Sequence, residues 1–245
     1  MRETDSVKIT TIVDNDVWRR GLLSSWGLSL YVEVLKGNEK HVILMDTSGS
    51  FEILYHNALK LGIDLSSVEA VFISHWHTDH CGALSQILSM LKPQTSVFVP
   101  SGDYFRIREI RGAGGVPVVC QKPIEFVEGA MSLGEIANEL REHSVSINVK
   151  GKGLVVLTGC SHPGLARILK NALKVTRVET IYAVIGGFHI STMNEGLGIG
   201  EFLRNLGIRC VSPCHCTSND AKQGIERILV NEYVRNGSGK TISID

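Results

Sequence analysis

Three features of the sequence predict a layered α/β fold. Short apolar runs rich in β-branched and aliphatic residues alternate with amphipathic stretches of helical spacing along most of the chain. The helical stretches fall between strands rather than in one block, which argues against a helical bundle. With 43% hydrophobic and 20% charged residues among 245, the chain has enough apolar side chain for a sizeable core and too much for wholesale disorder.

Residues 7–13, 28–35 and 41–46 read as strands. Phe51, Ile53, Leu54, Ala58 and Leu61 recur at helical spacing, and Gly62 stops that helix. A strand at 68–74 runs into a histidine cluster; a helix over 83–91 ends near Pro93, and 96–100 is a further strand. Between about 101 and 135 the pattern weakens. Gly112-Ala113-Gly114-Gly115 marks a turn, and Pro100, Pro117 and Pro123 break helical propagation. This segment is expected to be a long connection or a small insertion bordering a substrate site. Strands follow at 144–149, 153–158, 180–185, 208–212 and 240–244, with helices at 164–174, 197–206 and 220–230. No internal repeat is visible, and one domain is expected over residues 1–245.

Composition narrows the function. Lys plus Arg and Asp plus Glu each number 25, so the formal net charge is zero and no basic excess points to nucleic acid. The longest apolar runs, such as 42–45 and 154–157, fall far short of the ~20 residues of a spanning helix, and the start Met1-Arg2-Glu3-Thr4-Asp5 has no apolar core behind it. Six cysteines in this length do not make a disulfide scaffold. The expectation is a cytoplasmic protein with free thiols and a small-molecule substrate, with neither nucleic acid nor membrane as partner. Oligomeric state is not written in the sequence.

The chemistry concentrates in His75-Trp76-His77-Thr78-Asp79-His80, placed directly after the apolar strand. Three imidazoles and a carboxylate within six residues exceed any packing need. His75 and His77 can present ring nitrogens to one cation, while Asp79 and His80 on the following turn face a second. Three later strand ends also carry donors: Gly159-Cys160-Ser161-His162, Ile185-Gly186-Gly187-Phe188-His189 and Pro213-Cys214-His215-Cys216. His41 and His56 sit in ordinary strand and helix contexts and read as structural.

The HxHxDH pattern after a hydrophobic strand resembles the metallo-β-lactamase superfamily, and the likeness extends over roughly residues 8–217. The resemblance implies a four-layer αββα sandwich with a dinuclear metal site at the rim of its sheets. It gives Asp46, in Ile43-Leu44-Met45-Asp46, the role of a carboxylate orienting the metal loop. Cys160 matches the residue at the second metal position and His215 the last ligand. The family's Gly-His-Thr-like turn is missing and His143 lies in an unlike context, so His162 is expected to take the vacant ligand role. The implied metal ligands are therefore His75, His77, Asp79, His80, Cys160, His162 and His215. Asp79 would also hold the attacking water, and His189 would protonate the leaving group.

Two divalent ions are implied, zinc first, with iron, manganese and nickel left open. Diiron relatives usually have a glutamate where this chain has His77, which makes a diiron redox protein the lesser alternative. A metal-dependent hydrolase is the first functional reading. The combination HWHTDHCG, TGCSHPG, IGGFHI and CHCT resembles the group named for 7,8-dihydropterin-6-methyl-4-(β-D-ribofuranosyl)aminobenzene 5′-phosphate synthase. That likeness implies the alternative, a transferase condensing a dihydropterin diphosphate with a ribofuranosyl-aminobenzene phosphate, and hence a phosphorylated substrate.

Overall fold

The computed structural model describes residues 1–136 and 140–245. Strands β1 (Ser6–Val13), β2 (Ser29–Lys36), β3 (Glu39–Met45), β4 (Ala70–Phe72), β5 (Ser96–Val99) and β6 (Val116–Val119) form one sheet with the last strand, β13 (Thr241–Ile244), in the order β13-β1-β2-β3-β4-β5-β6. The second sheet has the order β12-β11-β10-β9-β8-β7. Its members are β7 (Ile124–Val127), β8 (Ala130–Ser132), β9 (Val145–Val149), β10 (Gly153–Thr158), β11 (Ile181–Gly187) and β12 (Cys210–Cys214).

The alternation of side chains along each strand explains the four layers. Ile43 and Met45 of β3 pack inward against Val155 and Leu157 of β10, filling the space between the sheets. Their neighbours Val42 and Leu44 point outward to Leu54 and Ala58 of α1 (Phe51–Leu61) and to Leu84 and Ile87 of α3 (Leu84–Leu88). On the other sheet, Leu154 and Val156 face outward to Leu165, Ile168 and Leu169 of α5 (Leu165–Thr176), to Leu203 of α6 (Met193–Asn205) and to Ile225 of α7 (Asn219–Ile228). Strands buried on both faces read as unbroken apolar runs, which is why they were legible. The order is helices, sheet, sheet, helices: the expected αββα sandwich.

Residues 101–135 are not a structureless connection. They carry α4 (Tyr104–Gly112) and β6, then cross to the second sheet as β7 and β8. One short helix also went unseen, α2 (Thr78–Cys81), within the histidine segment. No helix among the described residues is long and apolar enough to cross a membrane.

Strand direction decides where the site lies. β3 to β6 are mutually parallel, as are β10 to β12. Carboxyl ends of parallel strands form the usual binding edge of α/β sheets. Here Asp46, the 74–80 segment, Cys160, His189 and His215 follow the carboxyl ends of β3, β4, β10, β11 and β12. β1 is two antiparallel pairings from β3, so it runs the same way and brings Asp14-Asn15-Asp16 to that rim.

Candidate metal centre

The donors from these strand ends converge. Ring nitrogens of His75, His77 and His162 lie within 4.8 Å of one another, and so do the ligand atoms of Asp79, His80 and His215. Cys160 joins three further clusters on the same limit: with His75 and His80, with His162 and His189, and with His215 and Cys216. It therefore stands on the seam between the two triads, its Sγ 3.2 Å from His80 Nε2. All seven expected ligands meet at this rim, and His189 lies beside them, its ring 4.3 Å from that of His162. His143, set aside from sequence, is fully buried between Ser132 and Ile73 O and belongs to none of the clusters.

Backbone geometry aims these groups. Asp46, Ser161, His189 and His215 all take left-handed φ, between 49° and 64°, where the chain turns off a strand end. Non-glycine residues adopt this conformation at a cost, and such strain gathers at functional sites. Gly159 meets a different demand. A Cβ there would collide with Ser74 Oγ, so only glycine lets β10 end against the histidine segment.

Hydrogen bonds fix which ring nitrogens face the centre. Asp46 Oδ2 lies 2.6 Å from His80 Nδ1 and accepts from Ser74 Oγ at 2.7 Å, while Oδ1 accepts the Ser74 N–H. The Ser74 hydroxyl, having donated to Asp46, is left to accept from His75 Nδ1 at 3.0 Å. His215 Nδ1 lies 3.1 Å from Asn15 Oδ1. With their Nδ1 hydrogens engaged, these rings turn Nε2 toward the shared centre. There His80 Nε2 and His215 Nε2 stand 3.0 Å apart, and His75 Nε2 stands 3.0 Å from His77 Nδ1. Ring nitrogens crowded together in this way are an arrangement that a shared cation relieves.

The electrostatics agree. Burial and the neighbouring imidazoles hold His75 well below its usual pKa, and burial with His189 brings His162 down to about 4, so both rings are neutral donors. Burial acts to raise the Asp79 pKa, but the hydrogen bond from His215 and the charges on His80 and His215 bring it down to about 2. Burial likewise acts to lower the His80 pKa, yet Asp46, Asp79 and Glu142 carry it upward. A pocket that stabilises positive charge on a fully buried imidazole suits a divalent cation. The donor set of imidazole, carboxylate and thiol thus fits a borderline metal.

Four supporting residues were given no role in the site from sequence. Glu142 is 1% exposed and accepts three consecutive N–H groups, from Cys160 and Ser161 on Oε1 and from His162 on Oε2, at 2.8–3.0 Å. It pins the turn that carries two donors. Asp14 Oδ1 accepts the His215 N–H at 2.7 Å, and Asn15 Nδ2 donates to His215 O at 2.9 Å, so the end of β1 clamps the last histidine. Cys216 was the most legible, being the thiol next to His215. Its pKa is brought down to about 6, first by a hydrogen bond from Cys160, whose own thiol is pushed up in return. Thiolate character in this pair therefore rests on Cys216, and Cys160 would need a bound cation to ionise it.

Two sheets sandwiched between helices, with histidines gathered along one rim, define the metallo-β-lactamase fold. The family model of the metallo-β-lactamase superfamily matches residues 27–116. It is 27% identical to the 7,8-dihydropterin-6-methyl-4-(beta-D-ribofuranosyl)-aminobenzene-5'-phosphate synthase of Methanocaldococcus jannaschii, a match covering 98% of this chain and 97% of that protein. Among solved structures it resembles Tm1679, described as a metal-dependent hydrolase of the beta-lactamase superfamily, with TM-score 0.77 and 24% identity over 96% of this chain and 98% of that one. The metallo-beta-lactamase fold protein YhfI from Bacillus subtilis matches with TM-score 0.69 and 14% identity, over 98% and 99% of the two chains.

Proposed function

We propose that the chain is a dinuclear metal-dependent enzyme, a hydrolase that displaces a group at a phosphoryl or carbonyl centre of a small substrate. The observation that carries this reading is the convergence of two three-donor clusters sharing one thiol between them. His75, His77 and His162 would hold one ion; Asp79, His80 and His215 the other; Cys160 lies between. Zinc is the first choice for so imidazole-rich a set. Bound there, the ions would supply Lewis-acid polarisation of the scissile bond and acidify a water nucleophile.

The chain's own groups do the rest. Asp46 and Ser74 fix the ring orientations of His80 and His75. The Asp79 carboxylate, 20% exposed and ionised at neutral pH, would accept a hydrogen bond from the attacking water and hold it in line. His189 is exposed beside His162, where its ring can deliver a proton to a departing group. Metal analysis of the purified protein, followed by a panel of phosphodiester, thioester, lactone and β-lactam substrates, tests this. Absence of bound metal together with silence across the panel would overturn it.

A second reading is favoured by the relative matched over nearly its whole length, whose name describes a synthase. In that case the displaced group is pyrophosphate, and the incoming nucleophile is the ribofuranosyl-aminobenzene phosphate. Pyrophosphate release from a dihydropterin diphosphate, dependent on the second substrate, distinguishes this transferase from the hydrolase.

A further inference from the structure

From His215 the rim continues as a trough that no other member of the two donor triads borders. Its near part, about 310 Å³, is walled by Asn15, Trp26 and His215. Its far part, about 380 Å³, lies along one face of α7 between Lys222, Gln223 and Glu226 on one side and Arg235 and Asn236 on the other. Asp16, Asn219 and Lys222 line both parts. Trp26 is 67% exposed with its ring 5.3 Å from that of His215, and it walls the near part alone.

Three nitrogen-bearing side chains border the far part. Asn236 is 5% exposed, and its Oδ1 accepts from the Thr11 hydroxyl and from the Gly237 N–H, both at 2.8 Å. Those two bonds fix the amide orientation and leave Nδ2 as a buried donor with no hydrogen-bond partner. Buried donors lacking an acceptor are rare in folded proteins and call for an explanation. Arg235 is exposed, and no carboxylate among the described residues lies within ion-pair distance of it. Lys222 is held in place by Asp16, its Nζ 2.7 Å from Oδ2, with 13% of its side chain exposed. The acids facing this space are Asp16, already paired with Lys222, and Glu226.

We propose that the trough binds the distal, oxyanion-bearing end of the substrate, a phosphate or carboxylate, while the reacting end lies at the two donor clusters. A planar guanidinium and an ammonium at one cavity suit an oxyanion, which accepts several hydrogen bonds at once. The volume lies in the range of small-molecule sites. The inference rests on the enzymatic reading for what happens at the other end, but the binding it describes is measured separately.

Isothermal titration calorimetry of the full-length, metal-loaded protein tests it with ribose 5-phosphate, gluconate and uncharged ribose. One of the two anions is expected to bind and ribose not, which identifies the oxyanion. Arg235→Gln and Lys222→Met should each weaken that binding by about tenfold or more, the loss of one charge-assisted hydrogen bond, with metal content as in the unaltered protein. Glu226→Gln should leave the affinity equal or tighter. Undiminished affinity in both Arg235→Gln and Lys222→Met would overturn the proposal by locating the anion on the metals alone. So would failure of both anions to bind. Arg235-dependent binding in a protein inactive on every substrate would uphold the subsite and sink only the hydrolase reading.

Discussion

Asp46 Oδ2 and His80 Nδ1 lie 2.6 Å apart, with both side chains out of contact with solvent. The same carboxylate reaches His75 through the Ser74 hydroxyl. One buried charge therefore orients an imidazole in each donor cluster, so a change at Asp46 acts on both sites together.

Asp46→Asn should accordingly lower metal affinity by about 10–100-fold, the usual cost of losing a partner that holds a ligand histidine. An asparagine keeps the shape but gives up the charge that favours His80 as a donor. Competition with a chromogenic chelator measures the change, and unchanged far-UV circular dichroism shows that the fold survives. Undiminished affinity would mean that His75 and His80 are held by packing alone.

His77 and His189 are both exposed near the centre, yet their substitutions should separate. His77→Ala should lower metal content and activity together, because it removes a donor from the His75–His77–His162 cluster. His189→Ala should spare metal content and reduce turnover, as expected of a proton donor. Loss of metal from His189→Ala would instead make it a ligand, an outcome that its cluster with Cys160 and His162 makes measurable.

What the sequence disclosed follows from where each signal resides. Helix α1 was readable at both ends, because Ser50 caps it through Ile53 N–H and Gly62 closes it at φ 71°. Helix α4 was not: Ile110 is its one buried residue, while Tyr104 and Phe105 are 86% and 85% exposed, so no apolar face repeats. β6 beside it is an edge strand with exposed ends. The donors were legible because each follows a strand end in a short polar cluster. Their supports were not, because Glu142 meets Cys160 only through the antiparallel pairing of β9 with β10, and Asn15 meets His215 across 200 residues of sequence.

Glu142→Ala should destabilise the protein and loosen metal binding at once. Three buried N–H groups on the Cys160–His162 turn would lose their acceptor, and each such loss costs about 1–3 kcal/mol before relaxation. Urea unfolding of the metal-free form gives the stability change. A chelator titration should show weaker binding, because His162 is no longer held. A variant as stable as the unaltered chain would show that water replaces the carboxylate on that turn.

The pH dependence of stability should carry the mark of His143. Its ring is fully buried, stacked on Phe72 at 4.1 Å, and bonded to Ser132 Oγ at 2.8 Å and Ile73 O at 2.7 Å. Burial brings its pKa down from 6.5 to about 3, with the bond to Ile73 opposing the shift. Between those values the unfolded chain binds a proton that the folded chain refuses. The contribution is therefore complete above pH 6.5 and falls by about 1.4 kcal/mol for each unit of acidification toward pH 3. Glu142 works in the opposite sense, since burial raises its carboxyl to about 7 and folding there favours the protonated form between 4.5 and 7. Only a comparison isolates one group. In urea unfolding across pH 4 to 6, His143→Gln should flatten the dependence by close to one proton relative to the unaltered chain. Identical slopes would mean that water reaches the His143 ring in the folded protein, and that the floor beneath the histidine segment is less tightly sealed than its packing implies.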